Sequence, residues 1–203
     1  MSVQVKICGL TRPEDVRCVA DCGAEFAGFV LYDKSPRHVE PARLRELTRL
    51  LPATVVKVGV VVNATPAFAR EALKLGGLDV IQFCGAATDE LLRSVPRAWR
   101  ALGLADEADV AWAAALPGEA LLIDAVGPDR HGGTGRRCDW ELAARLAVRR
   151  RCVLAGGLNP ENVAEAVRQV RPFAVDVASG TEATPGIKDH DKIRAFVNNA
   201  RNA

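Results

Sequence analysis

Eight times along a chain of 203 residues, a short apolar run gives way to a turn and then to a segment whose apolar residues recur at helical spacing. The runs lie at 3–8, 26–31, 55–62, 80–83, 97–104, 120–123, 152–155 and 173–177. Strands that pair in parallel need a crossover of about a dozen residues or more, and strands covered on both faces read as unbroken apolar runs. The pattern therefore predicts a parallel sheet with a helix after every strand. Eight such units in series, with no long terminal excursion, favour closure into a (β/α)8 TIM barrel of near-minimal size over a doubly wound open sheet. All of 1–203 reads as a single α/β domain, since neither a low-complexity linker nor a second unit remains.

Local signals place the helices. Thr11-Arg12-Pro13-Glu14 reads as a capping box opening the first, Asn63-Ala64-Thr65-Pro66 starts the third, Thr88 opens the fourth, and Asn159 with Pro160 caps the seventh. Asp189 caps the last, in which Ile193, Phe196, Val197 and Ala200 share one face. The fifth strand, 97–104, is supported mainly by its place in the alternation.

The hydrophobic content of 49% is ample for a sizeable core, yet no apolar run approaches the ~18 residues of a membrane span. Met1 to Lys6 runs directly into a strand pattern, so a soluble, cytoplasmic protein is expected. With 27 basic and 25 acidic residues dispersed to a net charge of +2, no nucleic-acid footprint is indicated. The six cysteines include no Cys-x-x-Cys pair, which argues against a metal site and for free thiols.

In a closed barrel, ligands meet the C-terminal ends of the strands. The residues there are Cys8, Ser35 to Arg37, Asn63, Gln82 with Cys84, Asp124, Gly156-Gly157, and Asp176 with Ser179-Gly180. Glycines after the last two strands let backbone N–H groups approach a ligand closely, and the corresponding loops of such barrels often bind phosphate. Tight turns need glycine as well, and one such turn alone would mean no more than that.

Cys8 taken alone reads as a small buried hydrophobe; at a strand mouth it is also a potential base. An ordinary thiol, with a pKa of about 8.5, is only a few per cent thiolate at neutral pH, so that role needs positive charge nearby or activation by the substrate. Alternation puts Lys6 on the same barrel-facing side as Cys8, and Asp176, on the strand that closes beside the first, is placed to pair with Lys6. Such a pair is structural, a role for Asp176 that stands beside contact with substrate. Asp124 either caps its own turn or, ending an apolar strand, has its carboxyl pKa raised by burial and serves as a general acid. Arg37 is either a solvated loop charge or a planar fork for a substrate carboxylate. Gly132-Gly133-Thr134-Gly135, within 127–137, has neither dinucleotide nor P-loop spacing and reads as a mobile lid.

Several blocks, in order and across nearly the whole chain, resemble the phosphoribosylanthranilate isomerase family. They are Lys6-Ile7-Cys8-Gly9, Ser35-Pro36-Arg37, Val58-Gly59-Val60-Val61-Val62-Asn63, Gly132-Gly133-Thr134-Gly135 with Asp139-Trp140, Gly156-Gly157-Leu158-Asn159-Pro160-Glu161-Asn162-Val163, and Asp176-Val177-Ala178-Ser179-Gly180-Thr181-Glu182 with Pro185-Gly186-Ile187-Lys188-Asp189. The resemblance implies a cofactor-free (β/α)8 isomerase of tryptophan biosynthesis that needs no metal. Its reaction is the Amadori rearrangement of N-(5'-phosphoribosyl)anthranilate to 1-(2-carboxyphenylamino)-1-deoxyribulose 5-phosphate. It implies Asp124 as the general acid on the ribose ring oxygen and Cys8 as the general base at C2'. Arg37 would hold the anthranilate carboxylate, Gly157, Ser179 and Gly180 the phosphate, and Gly156 and Asp176 complete the substrate-binding set.

Two positions depart from the family pattern. Ile81-Gln82-Phe83-Cys84-Gly85 stands where Val-Gln-Leu-His-Gly is usual, and Asp33 where proline is common; both bear on affinity or rate and neither on the acid–base pair. A related phosphoribosyl isomerase of the histidine pathway would end its first strand on Asp rather than Cys8. Indole-glycerol-phosphate synthase would carry an N-terminal extension and a catalytic lysine. From a different class, the Cys84 departure suggests a phosphoribosyl-binding barrel without turnover. Monomer and homodimer both stand open.

Overall fold

The computed structural model describes residues 2–125 and 138–203. Among these, β1 (Gln4–Cys8), β2 (Phe26–Val30), β3 (Val56–Val62), β4 (Val80–Cys84), β5 (Ala98–Leu102), β6 (Ala120–Ile123), β7 (Cys152–Leu154) and β8 (Ala174–Val177) form a closed barrel in chain order. All pairings around it are parallel, and β8 closes on β1 with Lys6 opposite Asp176. The helices that return the chain are α1 (Pro13–Asp21), α2 (Pro41–Thr48), α3 (Pro66–Gly76), α4 (Asp89–Arg93), α5 (Glu107–Ala115), α6 (Trp140–Ala147), α7 (Val163–Val170) and α8 (His190–Arg201). The (β/α)8 TIM barrel expected from the alternation is the architecture observed. No helix among the described residues is long and apolar enough to cross a membrane. The lid reading of 127–137 falls outside the described residues.

Alternation along each strand builds two cores. One set of side chains, including Ile7, Phe29, Ile81, Leu121 and Val175, packs outward against Leu44, Leu47, Val163, Ala166 and Phe196 of the helices. The other set points inward and closes the lower barrel with Phe26, Val58, Val80, Trp99, Ala120, Val153 and Ala174. Phe26 and Trp99 meet edge to face with ring centroids 5.0 Å apart, and alanines on β6 and β8 make room for them. This plug leaves the barrel open only towards the strand C-termini, where the polar residues lie.

The helix starts correct some of the sequence reading. α1 begins behind Arg12, with no side-chain cap, because the Thr11 hydroxyl donates to the Gly186 carbonyl instead. α3 is capped by Thr65, whose hydroxyl accepts from Phe68 N; Asn63 lies outside it and accepts from Ala86 N through Oδ1. α7 begins after Asn162, since Asn159 Oδ1 accepts from the N–H groups of Glu161 and Asn162 in a turn of its own. Thr88 and Asp189 cap α4 and α8 as expected. Past β8, a 3-10 turn (Ser179–Thr181) leads into a hairpin, β9 (Glu182–Thr184) and β10 (Ile187–Lys188), that the alternation does not announce.

Candidate active site

A cavity of about 290 Å³ opens at the C-terminal mouth of the barrel. Cys8, Arg37, Asp124 and Asp176 all line it, with Gln82, Cys84 and Tyr32. The structure thus brings these four together with Ser35, Gln82 and Cys84 from the same ring of strand ends. Gly156, Gly157, Ser179 and Gly180 do not line this cavity; Ala178, which does, joins it to the second pair.

At the base of the site, Lys6 is fully buried and its Nζ donates to Asp176 Oδ1 at 2.9 Å. Asp176 therefore has the structural role as well as a place on the cavity wall. Gly28 lies in register with Cys8, and a Cβ at Gly28 would sit 2.8 Å from Cys8 Sγ and 3.1 Å from Lys6 Nζ. Thiol and ammonium thus share the space that the missing side chain leaves. Burial alone would drive Lys6 towards its neutral form, but the charges and hydrogen bonds of Asp176 and Cys8 outweigh it and raise its pKa. For Cys8, burial pushes the thiol up, Lys6 pulls it down and Asp176 pushes it up again, with a net pKa above the ordinary value. Lys6 thus places a positive charge beside Cys8, and the surroundings as a whole still keep the thiol pKa above its ordinary value.

Asp124 directly follows the buried end of β6, and its Oδ1 accepts from Ala125 N at 2.7 Å. Asp124 thus caps its turn, as one sequence reading has it, and it also lines the cavity. Cys84 is a poor substitute for a titrating group, since burial pushes its thiol up to about 12 despite the Gln82 Nε2 hydrogen bond at 3.7 Å. The Oε1 of Gln82 is buried with no hydrogen-bond partner among the described residues.

The loops after β7 and β8 are pressed together. Gly156 and Gly157 take left-handed backbone angles, φ +80° and +68°, and Asn162 Nδ2 ties Gly157 O at 3.0 Å. Any Cβ at Gly180 would overlap the Leu158 carbonyl. Both glycine turns are therefore required by geometry, and they leave backbone at the rim free of side chains, as a phosphate nest requires.

Sequence reasoning gave no role to Glu182, Lys188 or Asp15, although the first two stand in the last of the blocks that carry the resemblance. Arg37 is not a solvated charge: its Nε and Nη2 donate to Glu182 Oε1 and Oε2, both at 2.7 Å. Lys188 and Asp15 are buried beneath this pair. The signal was a polar run after β8 too long for a simple connection, with Pro185-Gly186 marking a hairpin turn.

The family model described as N-(5'phosphoribosyl)anthranilate (PRA) isomerase matches residues 5–199. The chain belongs to the phosphoribosylanthranilate isomerase family. An isomerase of this family from Thiobacillus denitrificans is 44% identical over 205 residues, with 99% of each chain covered. The crystal structure of phosphoribosyl anthranilate isomerase from Thermotoga maritima matches with a TM-score of 0.90 at 41% identity, covering 99% of this chain and 100% of that one. Another solved phosphoribosyl anthranilate isomerase is in complex with reduced 1-(o-carboxyphenylamino)-1-deoxyribulose 5-phosphate. It matches with a TM-score of 0.87 at 38% identity, covering 99% of this chain and 100% of its own.

Proposed function

We propose that residues 1–203 act as one domain in which Asp124 and Cys8 are the acid–base pair of the family's reaction. The chain catalyses the isomerisation of N-(5'-phosphoribosyl)anthranilate to 1-(2-carboxyphenylamino)-1-deoxyribulose 5-phosphate, a step of tryptophan biosynthesis. The observation that carries the assignment is the meeting of Cys8, Asp124 and Arg37 around one cavity at the barrel mouth. The reaction moves protons within one molecule, so side chains of this kind can supply its chemistry.

In the first step Asp124 donates a proton to the ribose ring oxygen. The C1'–O bond breaks and the anilino nitrogen lone pair forms a protonated imine at C1'. Cys8, as thiolate, then removes the proton from C2', and the electron pair of that C–H bond flows towards the iminium nitrogen. The resulting enolamine is protonated at C1' and loses the 2'-hydroxyl proton, giving the ketone. Arg37 holds the aryl carboxylate, and the backbone of Gly156, Gly157, Ser179 and Gly180 holds the phosphate at the other end. The cation formed in the first step lies beside C2' and favours the ionised form of the Cys8 thiol, whose proton passes by way of solvent to the carboxylate that the first step leaves at Asp124. A cytoplasmic setting is part of the proposal, because free cysteines such as Cys8 and Cys84 suit a reducing compartment.

The test is loss of substrate fluorescence when phosphoribosylanthranilate is generated in situ. Cys8→Ala and Asp124→Asn should each lower turnover by at least ~100-fold while leaving affinity for the reduced product analogue within about threefold. Near-normal turnover in Asp124→Asn would remove the acid from the mechanism. A barrel that binds without turnover would show no fluorescence loss even in the unaltered protein.

A further inference from the structure

The Arg37 guanidinium is not left to find its own orientation at the mouth. Nε and Nη2 are both spent on the Glu182 carboxylate, fork against fork, and the stem passes so close to Gly9 that a Cβ there would lie 2.6 Å from Arg37 Cδ. Glu182 is itself held. Its side chain is only 5% exposed, and Oε1 accepts from Lys188 Nζ and from Gly186 N, each at 3.3 Å. Lys188, with no side-chain exposure, donates a second bond to Ala178 O at 2.7 Å. The hairpin that carries both residues is fastened to the first βα unit, through Lys188 N to Asp15 Oδ2 at 3.2 Å and through Thr11 to the Gly186 carbonyl.

The charges in this cluster do not cancel. Arg37 and Lys188 are two cations around the single anion Glu182. Burial works against ionisation of Glu182, but the hydrogen bonds from Arg37 and the charge of Lys188 outweigh it and hold the carboxyl below its ordinary pKa. A guanidinium pinned by an isolated carboxylate would offer an anion little net attraction; here Lys188, whose pKa burial lowers against the pull of Glu182, adds a second cation behind the pair.

We propose that Glu182 is a positioning residue, which holds Arg37 in the orientation that receives the aryl carboxylate of the substrate, while Lys188 keeps the pinned pair net cationic. The proposal rests on the reading of Arg37 as the carboxylate's partner. Neither Glu182 nor Lys188 need touch the substrate for this role, and neither lines the cavity among the described residues.

The experiment is a double-mutant cycle in KM on Arg37→Ala and Glu182→Gln, with kcat and the melting temperature read alongside and Glu182→Asp as the charge-conserving variant. Glu182→Gln should raise KM about tenfold with kcat within about threefold, since a misdirected fork weakens binding rather than proton transfer. Arg37→Ala should raise KM at least as much. In its background Glu182→Gln should change KM by less than about twofold, and Glu182→Asp alone should fall between wild type and Glu182→Gln. An unchanged KM in Arg37→Ala would remove the reading of Arg37, and the proposal with it. A raised KM in Arg37→Ala with no effect of Glu182→Gln, or effects that multiply in the double variant, would overturn the positioning role alone. Loss of the fold in both Glu182 variants would assign the residue to folding and overturn it as well.

Discussion

Gly28→Ala adds one methyl group at a point where the barrel has no room for it. The new Cβ would lie 2.8 Å from Cys8 Sγ, 3.0 Å from Cys8 Cα and 3.1 Å from Lys6 Nζ. Non-bonded carbon contacts settle at about 3.5–4.0 Å, so the thiol has to retreat by roughly 0.7–1.2 Å. It cannot do so by rotation alone, because the contact with the Cys8 Cα pushes β1 and β2 apart at the register pair Cys8–Gly28. Overpacking of this kind costs about 1–3 kcal/mol. In a chain of this length each kcal/mol lowers the melting temperature by about 2–4 °C. Misplacement of a reacting group by about 1 Å costs on the order of a hundredfold in rate. Thermal melting and the fluorescence assay should therefore show a modest loss of stability with a large loss of turnover. Cys8→Ala/Gly28→Ala, which removes the sulfur from the clash, should regain part of the melting temperature and none of the activity. Turnover in Gly28→Ala within about threefold of the parent would refute the claim that the position of Sγ governs the proton transfer.

Two other predictions concern the buried charges. Lys6→Met leaves Asp176 without its ammonium partner and should cost about 3–5 kcal/mol in urea unfolding; adding Asp176→Asn should recover at least half of that, and no recovery would mean the pair is not what the barrel depends on. Asp15 and Glu182 both have folded pKa values held below their ordinary range, for Asp15 because Arg12, His190 and Lys188 N outweigh the effect of its burial. For carboxyls depressed in this way the stabilisation is present above the unfolded pKa of about 4 and is lost as pH falls through the folded value. The melting temperature should therefore drop steeply below about pH 4, and Asp15→Asn should be less stable at neutral pH but flatter in acid. An equally steep acid limb in that variant would assign the loss to other carboxylates.

The barrel was legible because it depends on patterns that survive without tertiary information. Apolar runs, helical spacing and Thr or Asp caps are local, and β5 was faint only because Trp99 fills the barrel while Arg97 reaches out to Glu119. Lys6–Asp176 was legible too, since closure of the barrel makes β8 the neighbour of β1. What was illegible depends on contacts between remote segments. Thr11 satisfies the capping pattern and is nonetheless claimed by Gly186, 175 residues away. Nothing local in the sequence gives Glu182 or Lys188 a role, and only the fold of their hairpin buries them beneath Arg37. Gly28 carries no polar signal at all; its meaning lies in the atoms that a side chain would displace.

The arrangement around Cys8 also explains why a base should be left protonated. Lys6 can be buried only with Asp176 beside it, and the same carboxylate undoes part of the pull that Lys6 exerts on the thiol. In the proposed mechanism Cys8 is therefore a latent base. In the proposed mechanism the missing charge is delivered by the substrate. A positive charge at about 5 Å and an effective dielectric of about 20 is worth about 3 kcal/mol, or roughly two pKa units. In the proposed mechanism that pull acts on Cys8 only after Asp124 has opened the ring and the imine is protonated. Proton removal at C2' is then conditional on the step before it, and a closed ring bound in the cavity is left untouched. A thiol already ionised in the empty site would lose that ordering and stand exposed to alkylation and oxidation. In the proposed mechanism the buried Lys6–Asp176 pair thus leaves Cys8 to be activated by the substrate, and the order of the two chemical steps follows from that.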